Sequence, residues 1–586
     1  MSTDERNAMT DRYHTSTLAW ISRVVGKKKW YIIFLLIIEA FLGASNVAFA
    51  MLFRDLIDQA VAKSLSGFWI AVVRVALLLG LQTVLYALER FLYEWSRSAM
   101  ENQFKGRLFS CLLHKDYASV TAIHSGEWMN RLTSDTVVVA NGVADILPDL
   151  AGLVTKLIGA LIAIFMLEPV FAYVLIPGGL LLLAVTYAFR KILKRLHKRI
   201  READGAVRVF LQERLGSLVV IRTFAMEART EEEASEKMDR HKAARIKRNH
   251  FSNLCNSGFG LVADGLYLLS AAYCGYGILR GTTSYGTMMA ILQLVGQVQS
   301  PFANITGYLP QYYAMIASAE RLMEAEAYED DCAQEAKKPE EIAEFYQASF
   351  RSIGLRNAAF TYRPTADEAA NGDSTGKNIE KLQASMPVVF SGINLEVHRG
   401  EYVAITGPSG CGKSTVLKLL MCLYPLDSGE RYLTAADGSD FPLAAQWRGL
   451  FAYVPQGNQL MSGTIREIIA FGDKEKMQQE ERMNQALRIA CADEFVSTLE
   501  RGLDTVLGER GTGLSEGQMQ RIAIARAVFS DHPILMLDES TSALDETTEQ
   551  HLLANLKAMT DKTVLIVTHR PAVLQICDKQ IAFPGN

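Results

Sequence analysis

The stretch EYVAITGPSGCGKSTVLKLLM, Glu401 to Met421, decides the fold of the second half of this 586-residue chain. An apolar run leads into a glycine-rich loop, and a helical pattern follows the loop. In the pattern G-x-x-x-x-G-K-[ST], the glycines let backbone N–H groups crowd around phosphates, and the following helix points its positive dipole end at them. The sequence therefore predicts a strand, a phosphate-binding loop and a helix within an α/β domain.

The side chains of this loop predict how a nucleotide is held. We expect Lys413 to reach the β and γ phosphates and Ser414 to hold Mg²⁺ through its hydroxyl. The predicted nucleotide-binding residues of the loop are Gly407, Ser409, Gly410, Gly412, Lys413, Ser414 and Thr415.

A second stretch, HPILMLDES from His532 to Ser540, has the pattern of a buried strand that ends in two carboxylates. Asp538 is placed to bind Mg²⁺, and Glu539 to orient or deprotonate an attacking water. Such an ending is common by chance, so it gains its meaning from the phosphate-binding loop.

The first half of the chain has a different character. It contains six apolar runs, each close to the roughly 20 residues that a helix needs to cross a bilayer. Basic clusters at Lys27 to Lys29 and Arg190 to Arg201 predict that these flanks are cytoplasmic. The runs are Trp30 to Phe53, Phe68 to Leu92, about Leu147 to Leu167, Val170 to Phe189, about Phe251 to Leu279 and about Tyr285 to Ala314.

The connections between these runs alternate in length. Those after the first, third and fifth runs are short, whereas those after the second and fourth are long. We expect the long ones to be helices that continue into the cytoplasm and turn back. The segment before the first run alternates apolar and basic residues, which predicts a helix along the membrane surface. A plain helical extension of the first run is the alternative.

Composition changes after about Ala319, where a charged segment precedes strand-like runs. We therefore predict an N-terminal tail and surface helix at 1–29, a membrane domain at 30–319, a linker at 320–349 and a nucleotide-binding domain at 350–586. The formal net charge of −4 gives no reason to expect a nucleic-acid partner.

The stretch GLSEGQMQRIAIARA, Gly513 to Ala527, resembles the signature sequence of ABC transporter ATPases, and it lies between the two preceding motifs as in that family. The whole chain resembles an exporter-type half-transporter. The resemblance implies a six-span α-helical transmembrane domain joined to an α/β P-loop ATPase domain with a helical subdomain. It also implies ATP-driven transport of an amphiphilic drug, lipid or peptide across the cytoplasmic membrane, with ATP and Mg²⁺ as cofactors.

The same resemblance implies further site residues. Tyr362 matches the aromatic residue that stacks on adenine, and Gln456 matches the glutamine that touches Mg²⁺ and senses the membrane domain. His569 matches the histidine that contacts the γ-phosphate. Glu539, His569 and Gln456 are thus the predicted catalytic residues, and Ser414, Gln456 and Asp538 the predicted Mg²⁺ ligands.

Dimerisation is also implied, because in this family each ATP lies between the P-loop of one chain and the signature of another. The partner is a second copy or a related half-transporter, so one half of a heterodimer stays an alternative. Coupling would run through Asp116 to Asp135 and Val220 to Glu233. The residues that would face the partner's ATP are Ser515, Gly517, Gln518 and Asp545.

Two features depart from the family pattern. Glu516 occupies a position that is usually glycine, and it would bring an extra carboxylate near ATP. The polar stretch Pro364 to Pro387 is longer than a strand connection needs, which predicts a flexible surface loop.

Ionisable and amide residues within the apolar runs are candidates for substrate contacts. They are Glu39, Asp264, Gln293 and Gln297, with Asn304 at the same helical spacing as the glutamines. Hydrogen bonding between helices, or a position at the level of the cytoplasm, is the alternative for each. Acidic residues in a cavity would favour a cationic amphiphile, either a drug or a peptide, and a lipid is the alternative. An importer with an exporter-like body, as in some siderophore transporters, also remains an alternative.

Overall fold

The computed structural model describes residues 16–332, 335–362, 388–457, 459–508, 511 and 513–583. Only the backbone is described at 172–188, 190, 191, 193, 194, 263, 300–307 and 309. The predicted surface loop from Pro364 to Pro387 lies outside the described residues, and so does the side chain of Asn304.

The first half of the described chain is helical. Residues 16–25 form a helix that continues through a 3₁₀ turn at Gly26–Lys28. The helices that follow are α1 (Lys29–Val61), α2 (Leu65–His114), α3 (Tyr117–Thr121), α4 (Ser125–Asn130), α5 (Thr136–Leu167), α6 (Pro169–Gly216), α7 (Leu218–Thr223), α8 (Glu227–Leu279) and α9 (Tyr285–Glu326).

Several of these helices are longer than a membrane is thick. Helix α2 has 50 residues and α8 has 53, and at about 1.5 Å per residue each exceeds twice the thickness of the hydrocarbon core. The connections after α1, α5 and α8 are short, as predicted. The two long connections contain the continuing helices and the short helices α3, α4 and α7.

Four helical segments among the described residues are long and apolar enough to cross a membrane: Ser16–Val61, Leu65–His114, Ser125–Leu167 and Glu227–Leu279. They contain the first, second, third and fifth predicted spans. The fourth and sixth predicted spans fall in α6 and α9, where many side chains lie outside the description. The count of six therefore stays a prediction.

Helices α1 and α5 approach closely at two glycines. A Cβ atom on Gly43 would lie 2.6 Å from the carbonyl oxygen of Gly152, and one on Gly152 would lie 2.7 Å from the carboxylate Oε2 of Glu39. Small residues let membrane helices pack backbone against backbone. This contact fixes Glu39 against α5.

The second half is α/β, as predicted. Its strands are β1 (Phe350–Phe360), β2 (Phe390–His398), β3 (Tyr402–Thr406), β4 (Ser428–Ala435), β5 (Asp440–Pro442), β6 (Phe451–Val454), β7 (Gly463–Thr464), β8 (Val506–Leu507), β9 (Ile534–Asp538), β10 (Thr563–Val567) and β11 (Lys579–Ala582). Its helices are α10 (Pro339–Ala348), α11 (Lys413–Leu420), α12 (Ile465–Ile469), α13 (Glu480–Ile489), α14 (Asp493–Thr498), α15 (Glu516–Phe529), α16 (Glu546–Lys557) and α17 (Pro571–Ile576).

Two sheets organise this half. An antiparallel sheet has the order β2-β1-β4-β5, and a parallel sheet has the order β11-β3-β10-β9-β6. Every residue of β9 and β10 is buried, as expected when both faces of a parallel sheet are covered. Helices α12 to α15 lie in the chain between β6 and β9 and form the helical subdomain.

The chain divides into two compact units. One comprises Met1–Gly106 and Arg131–Met323, and the other comprises Arg107–Asn130 and Glu324–Asn586. Helices α3 and α4, which belong to the first half of the sequence, are therefore part of the same unit as the ATPase domain.

Candidate functional site

The parallel sheet explains why distant residues meet. The loop after β3 carries the glycine-rich motif, and Gln456, Glu539 and His569 follow the ends of β6, β9 and β10. These four strands lie within one parallel sheet, so their carboxyl ends share an edge. Ligands of open α/β sheets bind outside that edge.

The glycine-rich loop has a backbone that other residues would strain. Gly410 and Gly412 have φ angles of 83° and 94°, in the left-handed region that favours glycine. A Cβ atom on Gly412 would also lie 2.7 Å from Cγ1 of Val389. Lys413 is 6% exposed, and its ammonium donates hydrogen bonds to the carbonyl oxygens of Gly407 at 2.9 Å and Pro408 at 2.8 Å. The loop thus holds a buried cation.

Ser414 and Asp538 lie together, as the Mg²⁺ prediction requires. The Ser414 hydroxyl donates to Asp538 Oδ1 at 2.8 Å, and Asp538 is 1% exposed. The Tyr453 hydroxyl donates to the other carboxylate oxygen at 3.1 Å. Burial and the neighbouring carboxylate raise the pKa of Tyr453 far above its usual range, so this phenol stays a donor. Sequence reasoning missed Tyr453, which carries no motif of its own.

These oxygen donors fit Mg²⁺, which binds through one or two carboxylates and substrate phosphates rather than an all-protein cage. Among the described residues, no group of three or more His, Cys, Asp or Glu side chains could hold a metal.

The three predicted catalytic residues are neighbours. The Gln456 amide Nε2 donates to Glu539 Oε2 at 2.8 Å, and His569 Nε2 lies 3.7 Å from Glu539 Oε1. Glu539 has a φ angle of 50°, in the left-handed region. Non-glycine residues rarely adopt this conformation, and such strain concentrates at functional sites.

Tyr362 lies over the helix that follows the glycine-rich loop. Its hydroxyl is 2.8 Å from Oγ1 of Thr415 in the first turn of α11. Its ring makes edge-to-face contacts with Phe360 and Tyr424, with centroid distances of 4.9 and 5.5 Å. The residue is 37% exposed, which leaves surface for a base to stack on.

The signature residues are at the start of a helix. Ser515 caps α15 by accepting a hydrogen bond from the Gln518 amide, while the Gln518 side chain accepts from the Ser515 amide. This is a capping box. Glu516 is exposed in the first turn.

The two family glycine positions differ here. A Cβ atom on Gly517 would lie 2.8 Å from the carbonyl oxygen of Ala543. Glycine is therefore required at 517 by the neighbouring loop, whereas the exposed position 516 accommodates glutamate.

The segment Ser542 to Asp545 is hydrogen-bonded to helix α15 and to the residue after His569. Gln520 on α15 donates to the Ser542 hydroxyl and accepts from the Ala543 amide. Arg570, next to His569, donates to the carbonyl oxygens of Ser542 and Leu544. Sequence reasoning missed both Gln520 and Arg570. Gln520 lies on α15, which begins at the signature residues, and Arg570 directly follows His569.

Asp545 caps helix α16. Its carboxylate accepts hydrogen bonds from the Thr548 amide at 2.9 Å and the Thr547 hydroxyl at 2.5 Å. These bonds, that from Thr547 first, hold the pKa of Asp545 well below its usual range. The carboxylate is thus charged at neutral pH.

The candidate substrate-contact residues in the membrane half do not lie at one site. Glu39 lines a cavity of about 210 Å³ together with Asn46, Tyr86, Asp149, Lys156 and Tyr308. Gln297 donates to the carbonyl oxygen of Asn46 at 2.9 Å, which is a bond between helices. Asp264 is exposed and Gln293 half-buried, and neither lines this cavity.

Comparisons with known proteins find family matches in both halves of the chain. Residues 31–302 match the family described as ABC transporter transmembrane region, and residues 390–542 match the family described as ABC transporter. YgaD of Bacillus subtilis, a protein named for multidrug export, is 26% identical over 530 residues, or 89% of this chain and 86% of that protein. The leukotoxin translocation ATP-binding protein LktB of Mannheimia haemolytica is 27% identical over 581 residues, 96% of this chain and 75% of that protein.

A solved structure has the same fold. It is a bacterial Atm1-family ABC exporter with ATP bound, 23% identical, with a TM-score of 0.73 over 96% of this chain and 94% of that one.

Proposed function

The chain is an ABC transporter of the exporter type that joins a transmembrane domain to an ATPase domain, and from this premise we propose that two copies form a dimer that exports a cationic amphiphile. ATP-driven export and ATP binding follow from the family. The importer alternative is not favoured, because the relatives are named for export and translocation.

The proposed ATP site lies at the glycine-rich loop and the ends of β6, β9 and β10. Lys413 would bind the β and γ phosphates, and Ser414, Asp538 and Gln456 would hold Mg²⁺. The ion would neutralise charge on the phosphate oxygens. Glu539 would accept a proton from the attacking water, Gln456 would orient that carboxylate, and His569 would contact the γ-phosphate. The meeting of Gln456, Glu539 and His569 beside the Ser414–Asp538 pair carries this assignment.

A second copy would complete each site. Ser515, Gly517, Gln518 and Asp545 lie on exposed or half-exposed surface, and the side-chain hydrogen bonds of Ser515, Gln518 and Asp545 are made within the caps of α15 and α16. In the proposed dimer these residues face the ATP of the other chain. The N-terminus and ATPase domain would be cytoplasmic, with the helices in the inner membrane.

The cationic substrate is inferred from the Glu39 cavity. Its lining includes two carboxylates, of Glu39 and Asp149, and one ammonium, of Lys156. The rings of Tyr86 and Tyr308 add aromatic surface, which attracts cations through its negative face. Neutral lipids and acidic peptides fit this lining less well.

The test uses the full chain in lipid nanodiscs and a lipophilic cation, tetraphenylphosphonium. We expect the chain alone to hydrolyse ATP and the cation to stimulate the rate several-fold. Glu39→Gln should lose the stimulation and keep the basal rate, whereas the matched control Asp264→Asn should keep both. In inside-out vesicles, ATP should drive the cation inward.

Three results would contradict the proposal. A folded, ATP-binding chain without hydrolysis would exclude the self-sufficient homodimer. Equal stimulation of parent and Glu39→Gln would exclude the cavity as the cation site. Movement of the cation out of inside-out vesicles would mean import.

A further inference from the structure

Asp538, the carboxylate at the end of β9, accepts hydrogen bonds from two hydroxyls on different elements. The Ser414 hydroxyl, in the first turn of α11, donates to Oδ1 at 2.8 Å. The Tyr453 hydroxyl, in β6, donates to Oδ2 at 3.1 Å. Within the part of the chain that the structure describes, these two are the side-chain donors to Asp538, which is 1% exposed. Each carboxylate oxygen is therefore held by one hydroxyl.

Strand pairing accounts for the position of Tyr453. Strands β6 and β9 are parallel, and Tyr453 lies opposite Met536. Alternate residues of a strand share one face of the sheet, so Met536 and Asp538 lie on the face from which Tyr453 projects. Tyr453 packs against the apolar cluster that contains Met536 and, from α11, Val416 and Leu417. The ring is thus fixed beside the P-loop helix, and its hydroxyl reaches the carboxylate two residues farther along β9.

These two hydrogen bonds fix the rotation of the Asp538 carboxylate. Partners outside the set of metal ligands orient those ligands, and their loss typically costs about 10- to 100-fold in metal affinity. Ser414 is itself a predicted Mg²⁺ ligand, so Tyr453 is the donor outside that set. Mg²⁺ demands near-ideal octahedral geometry, whereas Ca²⁺ accepts a carboxylate through one or both oxygens in flexible geometry. A carboxylate whose Oδ2 is held by a phenol hydroxyl therefore favours Mg²⁺.

We propose that Tyr453 is a positioning residue that orients Asp538 and thereby makes the cation site prefer Mg²⁺ to Ca²⁺. The role rests on the proposed ATP site, in which Ser414 and Asp538 hold the ion. Tyr453 acts through Asp538 and not by contact with the nucleotide. Because the hydroxyl carries the role and the ring carries the packing, Tyr453→Phe removes the first and keeps the second.

ATP binding in three solutions tests this role without relying on hydrolysis. The full chain in lipid nanodiscs carries Glu539→Gln, so that ATP stays intact. Calorimetry gives the dissociation constant of ATP in EDTA, in excess Mg²⁺ and in excess Ca²⁺. The factor by which an ion tightens ATP binding equals the factor by which the protein tightens binding of that ion to ATP. Each factor therefore reports how well the site holds one cation.

The expected results separate orientation of Asp538 from a general loss of structure. In the parent, the Mg²⁺ factor should exceed the Ca²⁺ factor. Tyr453→Phe should leave ATP binding in EDTA unchanged, because Lys413 and the glycine-rich loop are intact. It should lower the Mg²⁺ factor about 10-fold and the Ca²⁺ factor by much less, because a freed carboxylate can bind Ca²⁺ through both oxygens.

Tyr432→Phe is the matched control. Tyr432 is a buried tyrosine of β4 in the same domain, and its ring contacts the Arg356 guanidinium at 4.4 Å rather than Asp538. This substitution also removes one phenol hydroxyl and keeps the ring. It should leave all three dissociation constants unchanged.

The outcomes that would overturn the role of Tyr453 are distinct from failure of the ATP site. An unchanged Mg²⁺ factor in Tyr453→Phe, or equal losses of the Mg²⁺ and Ca²⁺ factors, would overturn the role alone. Weaker ATP binding in EDTA would do the same, because it would mark a structural defect. If Mg²⁺ did not tighten ATP binding to the parent, the assignment of Ser414 and Asp538 would be wrong as well. A folded parent that bound no ATP in any solution would contradict the whole site.

Discussion

The two parts of the ATPase domain that are predicted to touch ATP differ in how complete they are. On the P-loop side, Lys413 and Asp538 are almost fully buried and already hydrogen-bonded to neighbouring residues. On the signature side, Ser515 and Asp545 are exposed, and their side chains accept hydrogen bonds that cap their own helices. One side is assembled within one chain, and the other is held by its own helix caps and is exposed to solvent. This difference is what a composite site between two chains requires.

Glu539→Gln should have the largest effect on ATP hydrolysis, because it removes the predicted catalytic base on the P-loop side. General-base catalysis contributes about 10²- to 10⁴-fold, so ATP hydrolysis should fall by that order. ATP binding should persist, since Lys413 and Tyr362 are unchanged. Steady-state hydrolysis and ATP binding in nanodiscs measure the two quantities. Hydrolysis within a few-fold of the parent would show that Glu539 is not the base.

Gly517→Ala tests the signature side. The added Cβ would lie 2.8 Å from the carbonyl oxygen of Ala543, so the signature must shift. Displacements of about 1 Å can cost 10²-fold in rate, and we expect hydrolysis to fall by up to that factor. ATP binding to the P-loop should be unaffected. A parallel loss of binding would mean that the two sides are not separate.

Glu516→Gln should act in the opposite direction by a smaller amount. The exposed carboxylate would face the phosphates of the partner's ATP, and like charges repel. Its removal should lower the KM for ATP several-fold. Glu481→Gln, an exposed carboxylate in the first turn of α13, is the control and should leave KM unchanged. No difference between the two variants would place Glu516 away from the phosphates.

Substitution of Asp545 should have the smallest effect, and the quantity affected is the stability of the fold on the signature side, where Asp545 caps α16. Its hydrogen bonds lower the folded-state pKa, so its contribution to stability is present above the usual pKa of about 3.9 and lost as pH falls below it. Asn caps helices equally well and does not titrate. The melting temperature of the parent should therefore fall relative to Asp545→Asn between about pH 5 and pH 3. A pH-independent difference would contradict the charged cap.

Sequence patterns predicted the parts of the fold that depend on local order. The strand, glycine-rich loop and helix around Lys413 lie where the motif placed them, and the short connections between membrane helices agree with the apolar runs. Gln456, Glu539 and His569 meet, and their catalytic roles stay predictions. Their meeting depends on the order of strands in the sheet, which local sequence pattern did not predict.

Contacts between elements distant in sequence escaped prediction. Tyr453 reaches Asp538 only because β6 pairs with β9, and Tyr424 meets Tyr117 across about three hundred residues of chain. Single tyrosines outside a motif give no signal of this kind. Glu39 was predicted from its charge in an apolar run, but the cavity beside it depends on the packing of α1 against α5.

The central claim is that each ATP is shared by two chains, and label transfer tests it directly. One chain carries Lys413→Ala and Ser515→Cys, and it is mixed in nanodiscs with a chain whose P-loop and Ser515 are intact. An ATP analogue with a thiol-reactive γ-phosphate group is then added. The account predicts label at the introduced thiol only in the mixture, because the nucleotide is bound by the other chain's P-loop. Equal label on the double variant alone and in the mixture, or none in the mixture while the analogue binds the intact P-loop, would contradict it.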